Sequence, residues 1–172
     1  LKLFEEELAI FFELGDKKQQ SSAYTNLGSV WGNMGSVDSS VAYYLKSLKL
    51  DEEMGDSLGV SIIHNNIGNI YSDDGAYDKA IEHFEKALKI RQQMVAEKRY
   101  LQCYSNLATV YSRKKEFEKS HEYGLKGLEY ALKYDNKSYA GIISNSLGSN
   151  FNDQKRFSEA LPWLLKALSY WT

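Results

Sequence analysis

The chain repeats itself every 40 residues. Four windows stand in register: SAYTNLGSVW (22–31), IIHNNIGNIY (62–71), QCYSNLATVY (102–111) and IISNSLGSNF (142–151). Leu27, Ile67, Leu107 and Leu147 align. So do Gly28, Gly68, Ala108 and Gly148, and so do Trp31, Tyr71, Tyr111 and Phe151. The second half of each unit repeats too, with Val37, Tyr77, Phe117 and Phe157 in one row and Leu48, Leu88, Leu128 and Leu168 in another. Two further rows hold only small residues: Ser40, Ala80, Ser120 and Ala160, then Ser47, Ala87, Gly127 and Ala167. A unit of this length cannot bury an apolar face alone, so copies stack and share one core.

Each unit reads as two helices, A then B. His64, Ile67, Gly68 and Tyr71 are spaced i, i+3, i+4 and i+7, one face of a helix, and Ala80, Phe84, Ala87 and Leu88 mark a second. Gly35 and Gly75 stand where the chain must turn through a left-handed conformation, while Lys115 and Lys155 hold that place later and predict costlier turns. Gly15-Asp16 and Gly55-Asp56 read as helix stop and N-cap; Val95 and Asp135 mark the later boundaries less sharply. Gly or Ala at the Gly68 row lets helix B approach helix A closely. Proline occurs once, at Pro162, in the first turns of the last helix after Ser158 as its N-cap. With 43% apolar residues and abundant Leu, Lys, Glu and Ala, the composition suits an all-helical domain with a continuous core.

The pattern resembles the tetratricopeptide repeat. Tyr24, Leu27, Gly28, Trp31, Ser40, Tyr44 and Ser47 carry it in the first unit, and His64, Ile67, Gly68, Tyr71, Ala80, Phe84 and Ala87 in the second. Tyr104, Leu107, Ala108, Tyr111, Ser120 and Gly127 carry the third, with Gly124 at the aromatic position. Ser144, Leu147, Gly148, Phe151, Ala160 and Ala167 carry the fourth, with Leu164 there. The resemblance implies an all-α, right-handed superhelical solenoid of antiparallel helix pairs. On this reading 1–172 is a single domain with repeats at about 16–54, 56–94, 96–134 and 136–172, and 1–14 is a helix B lacking its helix A. Two features depart from the family: the usual period is about 34 residues, and the proline near the end of helix B is absent. The longer period is similar to that of kinesin light chains, bacterial peptide-pheromone receptors and bacterial sensor regions. The implied role is a non-catalytic protein- or peptide-binding module, the sensor or scaffold part of a larger signalling protein, on the cytoplasmic or periplasmic side. Apolar Phe4, Leu8, Phe11, Trp163, Leu164, Leu168 and Trp171 near the ends are expected to meet further repeats or another domain. The alternative is an assembly protein that self-associates through its terminal helices.

The asparagines are the expected binding surface. Asn is a poor helix former, and Glu, Lys or Gln would fill a solvated face at lower cost. With the core on His64, Ile67, Gly68 and Tyr71, residues Asn65, Asn66, Asn69 and Asp73 are expected on the opposite side. Asn66 recurs as Asn26, Asn106 and Ser146, Asn65 as Thr25, Ser105 and Asn145, and Asn69 as Ser29, Thr109 and Ser149. Asn33, Asp73, Arg113 and Asp153 form a mixed charged row, next to Asn152. By resemblance, helix A lines a concave groove in which such amides pair with an extended peptide backbone. An amide offers one acceptor and two donors, enough to match a peptide C=O and N–H together. Helices about 8–10 Å apart, against a strand rise of about 3.3 Å, would bring one asparagine to roughly every third ligand residue. Arg113 could hold a carboxylate. The competing reading is that the amides bond one another between repeats, or water.

Other chemistries find no support. The net charge is -2 with a pI near 6.0, which shows no basic footprint for nucleic acid. No apolar run reaches the ~18 residues of a membrane span. The single Cys103 cannot form an intrachain disulfide and reads as a partly buried structural thiol. His64 sits at a core position, and His83 and His121 read as surface residues of helix B, without the i, i+4 pairing of a zinc helix. SRKKEFEK (112–119) reads as a solvated turn. No phosphate loop or nucleophile elbow occurs, so no enzyme activity, metal or cofactor is expected.

Overall fold

The computed structural model describes residues 11, 13–94 and 99–171. The helix expected over 1–14, with Phe4 and Leu8, falls largely outside them, as does Val95. Among the described residues there are eight helices and no strand. They are α1 (Lys17–Asn33), α2 (Val37–Met54), α3 (Ser57–Asp73), α4 (Tyr77–Gln93), α5 (Tyr100–Arg113), α6 (Phe117–Lys133), α7 (Lys137–Asp153) and α8 (Phe157–Trp171). Two compact units divide the chain at Ile90–Arg91, within α4.

In the first unit the turns follow from the residues placed in them. Gly15, Gly35, Gly55 and Gly75 all have positive φ, between 67° and 81°. After each of the last three, the next N–H closes the helix end on a carbonyl five residues back: Ser36 on Trp31 at 3.0 Å, Asp56 on Asp51 at 2.9 Å, Ala76 on Tyr71 at 2.9 Å. The Asp16 carboxylate then accepts from Gln19 N at 3.0 Å and that of Asp56 from Gly59 N at 2.9 Å, satisfying orphan donors of α1 and α3. Buried Tyr44, Ile63 and Ile67 form the core with Val41, Leu48, Ile70 and Tyr71 around them. Gly28 lies under the Tyr44 ring and Gly68 under that of Phe84; a Cβ on either would come within 2.8 or 2.6 Å of ring carbons. The small Ser40 row has a second use, since the Ser40 hydroxyl donates to the Gly28 carbonyl at 2.7 Å. Ser40→Ala is expected to lower unfolding free energy by about 1 kcal/mol in urea titration, the net worth of one such bond.

The second unit keeps the plan with other residues. Lys115, Asp135 and Lys155 take positive φ of 64°, 48° and 60°, at about 1–2 kcal/mol each for a residue with a Cβ. The same closing bonds persist: Glu116 N to Tyr111 O, Asn136 N to Ala131 O and Arg156 N to Phe151 O, at 2.9, 2.7 and 2.9 Å. Asn136 also caps α7 by accepting from Tyr139 N at 3.1 Å, a signal the sequence reading passed over. Leu101, Leu128, Ala131, Ala140, Ile143 and Leu147 form the core. Gly124, where other repeats carry a large side chain, leaves room that Leu147 occupies; a Cβ there would meet it at 2.7 Å. Gly148 lies under Leu164. Ser158 is not the N-cap of α8: the helix begins at Phe157, so Ser158 lies in its first turn and Pro162 inside it.

Candidate functional site

The candidate positions lie on the first helix of each pair, α1, α3, α5 and α7. In the first unit α1 and α3 lie side by side. Between them is a recess of about 260 Å³ whose wall includes Lys18, Ser22 and Asn26 of α1 and Ile62 of α3. Asn26, Asn33, Asn69 and Asp73 are exposed, and Asn66 and Ser29 half-buried. Ser29 turns inward, donating to the Thr25 carbonyl at 3.1 Å and sharing a 2.9 Å bond with the Tyr44 hydroxyl. In the second unit α5 and α7 lie side by side. Arg113 and Asp153 line a recess of about 520 Å³ with Ser112, Lys115 and Phe117. Arg113, Asn145, Ser149 and Asn152 are exposed and Asn106 half-buried, while half-buried Thr109 donates to the Ser105 carbonyl at 2.9 Å.

Asn65 departs from expectation. It is 2% exposed, so its amide does not belong to the open surface. The reason shows in the first unit, where Thr25 in the same row shares a 2.8 Å bond with Ser47 of α2. There the row points at helix B of its own pair, whereas Asn145 of the same row stays exposed in the second unit. Ser47 in turn donates to the Ser21 carbonyl, and the Ser21 hydroxyl donates to the Asp51 carboxylate at 2.5 Å. Asp51 is 5% exposed and forms the floor of the α1–α3 recess. Burial raises its carboxyl above the ordinary carboxylate range; the Ser21 bond opposes this and neighbouring Asp56 adds to it.

The histidines also differ from the sequence reading. His83 is not on the surface: it is half-buried, and its Nδ1 lies 3.0 Å from Nδ1 of His64. One ring must donate and the other accept. His121 is half-buried, edge-on to Phe151 and Trp163. Cys103 is fully buried, not partly. An Arg91 Nη1 lies 3.2 Å from its sulfur, and burial pushes the thiol up despite that guanidinium. A thiol so held is a poor nucleophile. Among the described residues no three His, Cys, Asp or Glu side chains converge as a metal site would require, and no helix is long and apolar enough to cross a membrane.

The profile of the tetratricopeptide repeat family matches residues 19–93 and, one unit on, 59–133, together more than half of the chain. The chain belongs to this family. Tetratricopeptide repeats form protein-interaction scaffolds, and the helix pairs here follow their plan. No curated protein matches the sequence. Solved structures share the fold at low identity. BtubC (BKLC) from P. vanneervenii is 20% identical with a TM-score of 0.85 over 98% of this chain and 70% of that one. RapI in its apo form is 19% identical with a TM-score of 0.87 over 97% of this chain and 61% of its own. A signal transduction ATPase with numerous domains from Pyrococcus horikoshii, which carries a tetratricopeptide repeat sensor, is 21% identical with a TM-score of 0.74; this chain spans 28% of it.

One polar residue of this tetratricopeptide array was missed altogether. Asn150 is 3% exposed, in the row that holds Val30, Ile70 and Val110. Ile70 fits beside Gly32 and Ser40. Asn150 instead donates to Ser120 Oγ at 2.6 Å and accepts from the Ser112 hydroxyl, while Ser120 passes its own proton to the Ala108 carbonyl. The break in an aliphatic row was the available signal. Asn150→Ala removes both bonds, leaving the half-buried Ser112 hydroxyl without this acceptor and Ser120 without this donor, and is expected to destabilise by about 1–3 kcal/mol, read from the denaturation midpoint.

Proposed function

We propose that this chain is a non-catalytic protein- or peptide-binding module that serves as the sensor or scaffold part of a larger signalling protein. The observation that carries the reading is the recurrence of an amide at one position of the first helices: Asn26, which is exposed, and Asn66 in one unit, and Asn106 in the other, the latter two half-buried. Such side chains lower helix stability and gain nothing on a merely solvated face, yet they suit a ligand backbone that needs donor and acceptor together. The recess beside Asn26 gives its unit a concave surface for side chains of the same ligand. The sensor role named for the P. horikoshii protein, and the fold shared with it, support the signalling setting.

The test begins with extended peptides selected against the whole chain from a displayed random library. Affinity of the best is then measured by calorimetry for Asn66→Ala and Asn106→Ala, singly and together. Each is expected to weaken binding by about 1 kcal/mol, several-fold in Kd, with circular dichroism checking that the variants stay folded. Full affinity in the double variant would take the amide row out of the binding surface.

A further inference from the structure

We propose that the recess between α1 and α3 receives the ammonium end of a lysine side chain carried by the peptide ligand, with Asp51 as its counter-charge. This deepens the peptide-binding reading above and rests on it. Asp51 is 5% exposed, on the floor of the recess. Its Oδ1 accepts from the Ser21 hydroxyl. Among the described residues no other group donates to this carboxylate and no cation offsets its charge, while burial and neighbouring Asp56 both oppose it. An ionised carboxylate held out of water is strongly disfavoured until a counter-charge joins it. Oδ2 is nevertheless not sealed in. The described buried side-chain atoms that lack both a partner and solvent contact are Trp31 Nε1 and Ser144 Oγ, so Oδ2 opens on the recess. Gly59 keeps that side clear: a Cβ there would collide with Oδ2 and lie 3.1 Å from Asp56 Oδ2. Both carboxylates thus face one glycine, beside the carbonyl end of α2, where a cation is favoured.

The repeat supplies a contrast. The Asp51 row continues as Arg91 and Ala131, 3 and 0% exposed. Arg91 is buried with acceptors at hand, its Nη1 lying 3.0 Å from the Arg99 carbonyl and 3.3 Å from Gln102 Oε1. Asp51 has a single hydroxyl. Exposed Lys18 stands on the rim of the recess without pairing with it. The remaining walls decide what fills the space. About 260 Å³ accommodates a chain of carbon atoms rather than a bare ion, and among the described residues no third His, Cys, Asp or Glu joins the pair as a metal would require. Ile62 on the wall is 38% exposed and suits the methylenes of a long cationic side chain. The oxygens of Ser22 and Asn26 line the same space and can accept further ammonium protons. A guanidinium fits less well, because its two-pronged match needs both carboxylate oxygens and Ser21 holds one. The side chain that the recess selects is therefore lysine rather than arginine.

The probe is lysine blocked at both ends, N-acetyl-lysine N-methylamide, titrated into the whole chain while the amide NMR signals of Asn26 and Gly59 are followed. Saturable shifts are expected at millimolar concentration, as suits one side chain taken alone. Blocked norleucine, which lacks the ammonium, should give none, and blocked arginine should bind several-fold more weakly. Asp51→Asn keeps an acceptor for Ser21 and is expected to weaken blocked lysine by about tenfold or more. Asp56→Asn keeps the helix cap and should weaken it several-fold, so the charge is tested even where the first variant fails to fold; circular dichroism checks both. No saturable shift with blocked lysine, equal binding of norleucine, or full affinity in the folded variants overturns the proposal. Tighter binding of alaninamide, whose one cation is an amino terminus, would give the recess to a chain end and overturns the lysine assignment. Asn66 and Asn106 lie outside this recess, and their alanine variants should bind blocked lysine as the parent does, so this test and that of the amide row fail separately.

Discussion

Gly68→Leu is expected to remove at least about 3 kcal/mol from the stability of the first unit, enough to bring a domain of ordinary stability near its unfolding threshold. The Phe84 ring lies directly over Gly68, so even a single added carbon would sit 2.6 Å from it. Phe84 is 2% exposed, so its ring is packed in and cannot swing out to solvent without opening the core. Leucine adds three more carbons, and the helices α3 and α4 would have to separate along the contact that builds the pair. Gly68→Ala should show a smaller loss, because alanine regains up to about 1 kcal/mol of helix propensity while still pressing on the ring. Urea unfolding of the two variants beside the parent measures both effects. An unmoved midpoint in the leucine variant would remove the close helix crossing from this account.

Stability should also fall in acid, through the imidazole pair. His64 is pushed down to about 4, first by burial, then by His83 and Lys86, with Glu82 opposing; His83 is lowered by burial and Lys86. Tyr71 faces the pair as well, its ring 5.7 Å from His83, and carries Lys79 over its own face. When both rings are neutral, one Nδ1–H can point at the other nitrogen. Once both are protonated, two N–H groups and the Lys86 ammonium face one another. The sign follows from the lowered values. The unfolded chain takes up protons as pH drops below the usual 6.5, while the folded one resists until about 4. The pair's full contribution is therefore present above pH 6.5 and lost on the way down to about pH 4. A shift of the His64 size corresponds to roughly 2–4 kcal/mol. The other repeats suggest the control, since Tyr24–Tyr43 and Tyr104–Tyr123 occupy the same places as ring pairs. His64→Tyr with His83→Tyr should flatten the stability profile between pH 6.5 and 4 in urea titrations. A profile as steep as the parent's would assign the acid loss to other groups.

What could be read from the sequence was what the backbone demands locally. A left-handed turn needs glycine or tolerates lysine at a cost, and an orphan N–H needs a carboxylate three residues back; Gly55, Lys115 and Asp56 showed both without knowledge of any neighbour. The apolar rows were equally plain, because a solenoid repeats its environment as well as its sequence. Sidedness was harder. A helical wheel places Asn65 on the flank of the core face, roughly 120° from Tyr71, but it does not show how far the neighbouring helices wrap around that flank, and Asn65 is buried there. His83 was missed for the mirror reason: a polar-looking residue on helix B faces its own helix A, where only the Tyr43 and Tyr123 row hinted at ring packing. Asn150 was hidden because one amide in an otherwise aliphatic row looks like drift until Ser112 and Ser120 are seen to receive it.

The matched sizes across each helix pair carry a consequence for how such an array can change. Tyr44 and Phe84 are each accommodated by a glycine opposite, and Gly124 is filled by Leu147 of the following pair. A recombination that joined helix A of one repeat to helix B of another would set Ala108 beneath Phe84, or leave Gly28 facing Gly124 across a void. By these volumes a crossover at Gly55–Asp56, between pairs, keeps each match, one within a pair keeps it only between the first two repeats, where glycine faces a large ring in both, and Gly124 needs Leu147 of the repeat that follows it. The unit of exchange in this chain is set by volume rather than by the 40-residue spelling of its sequence.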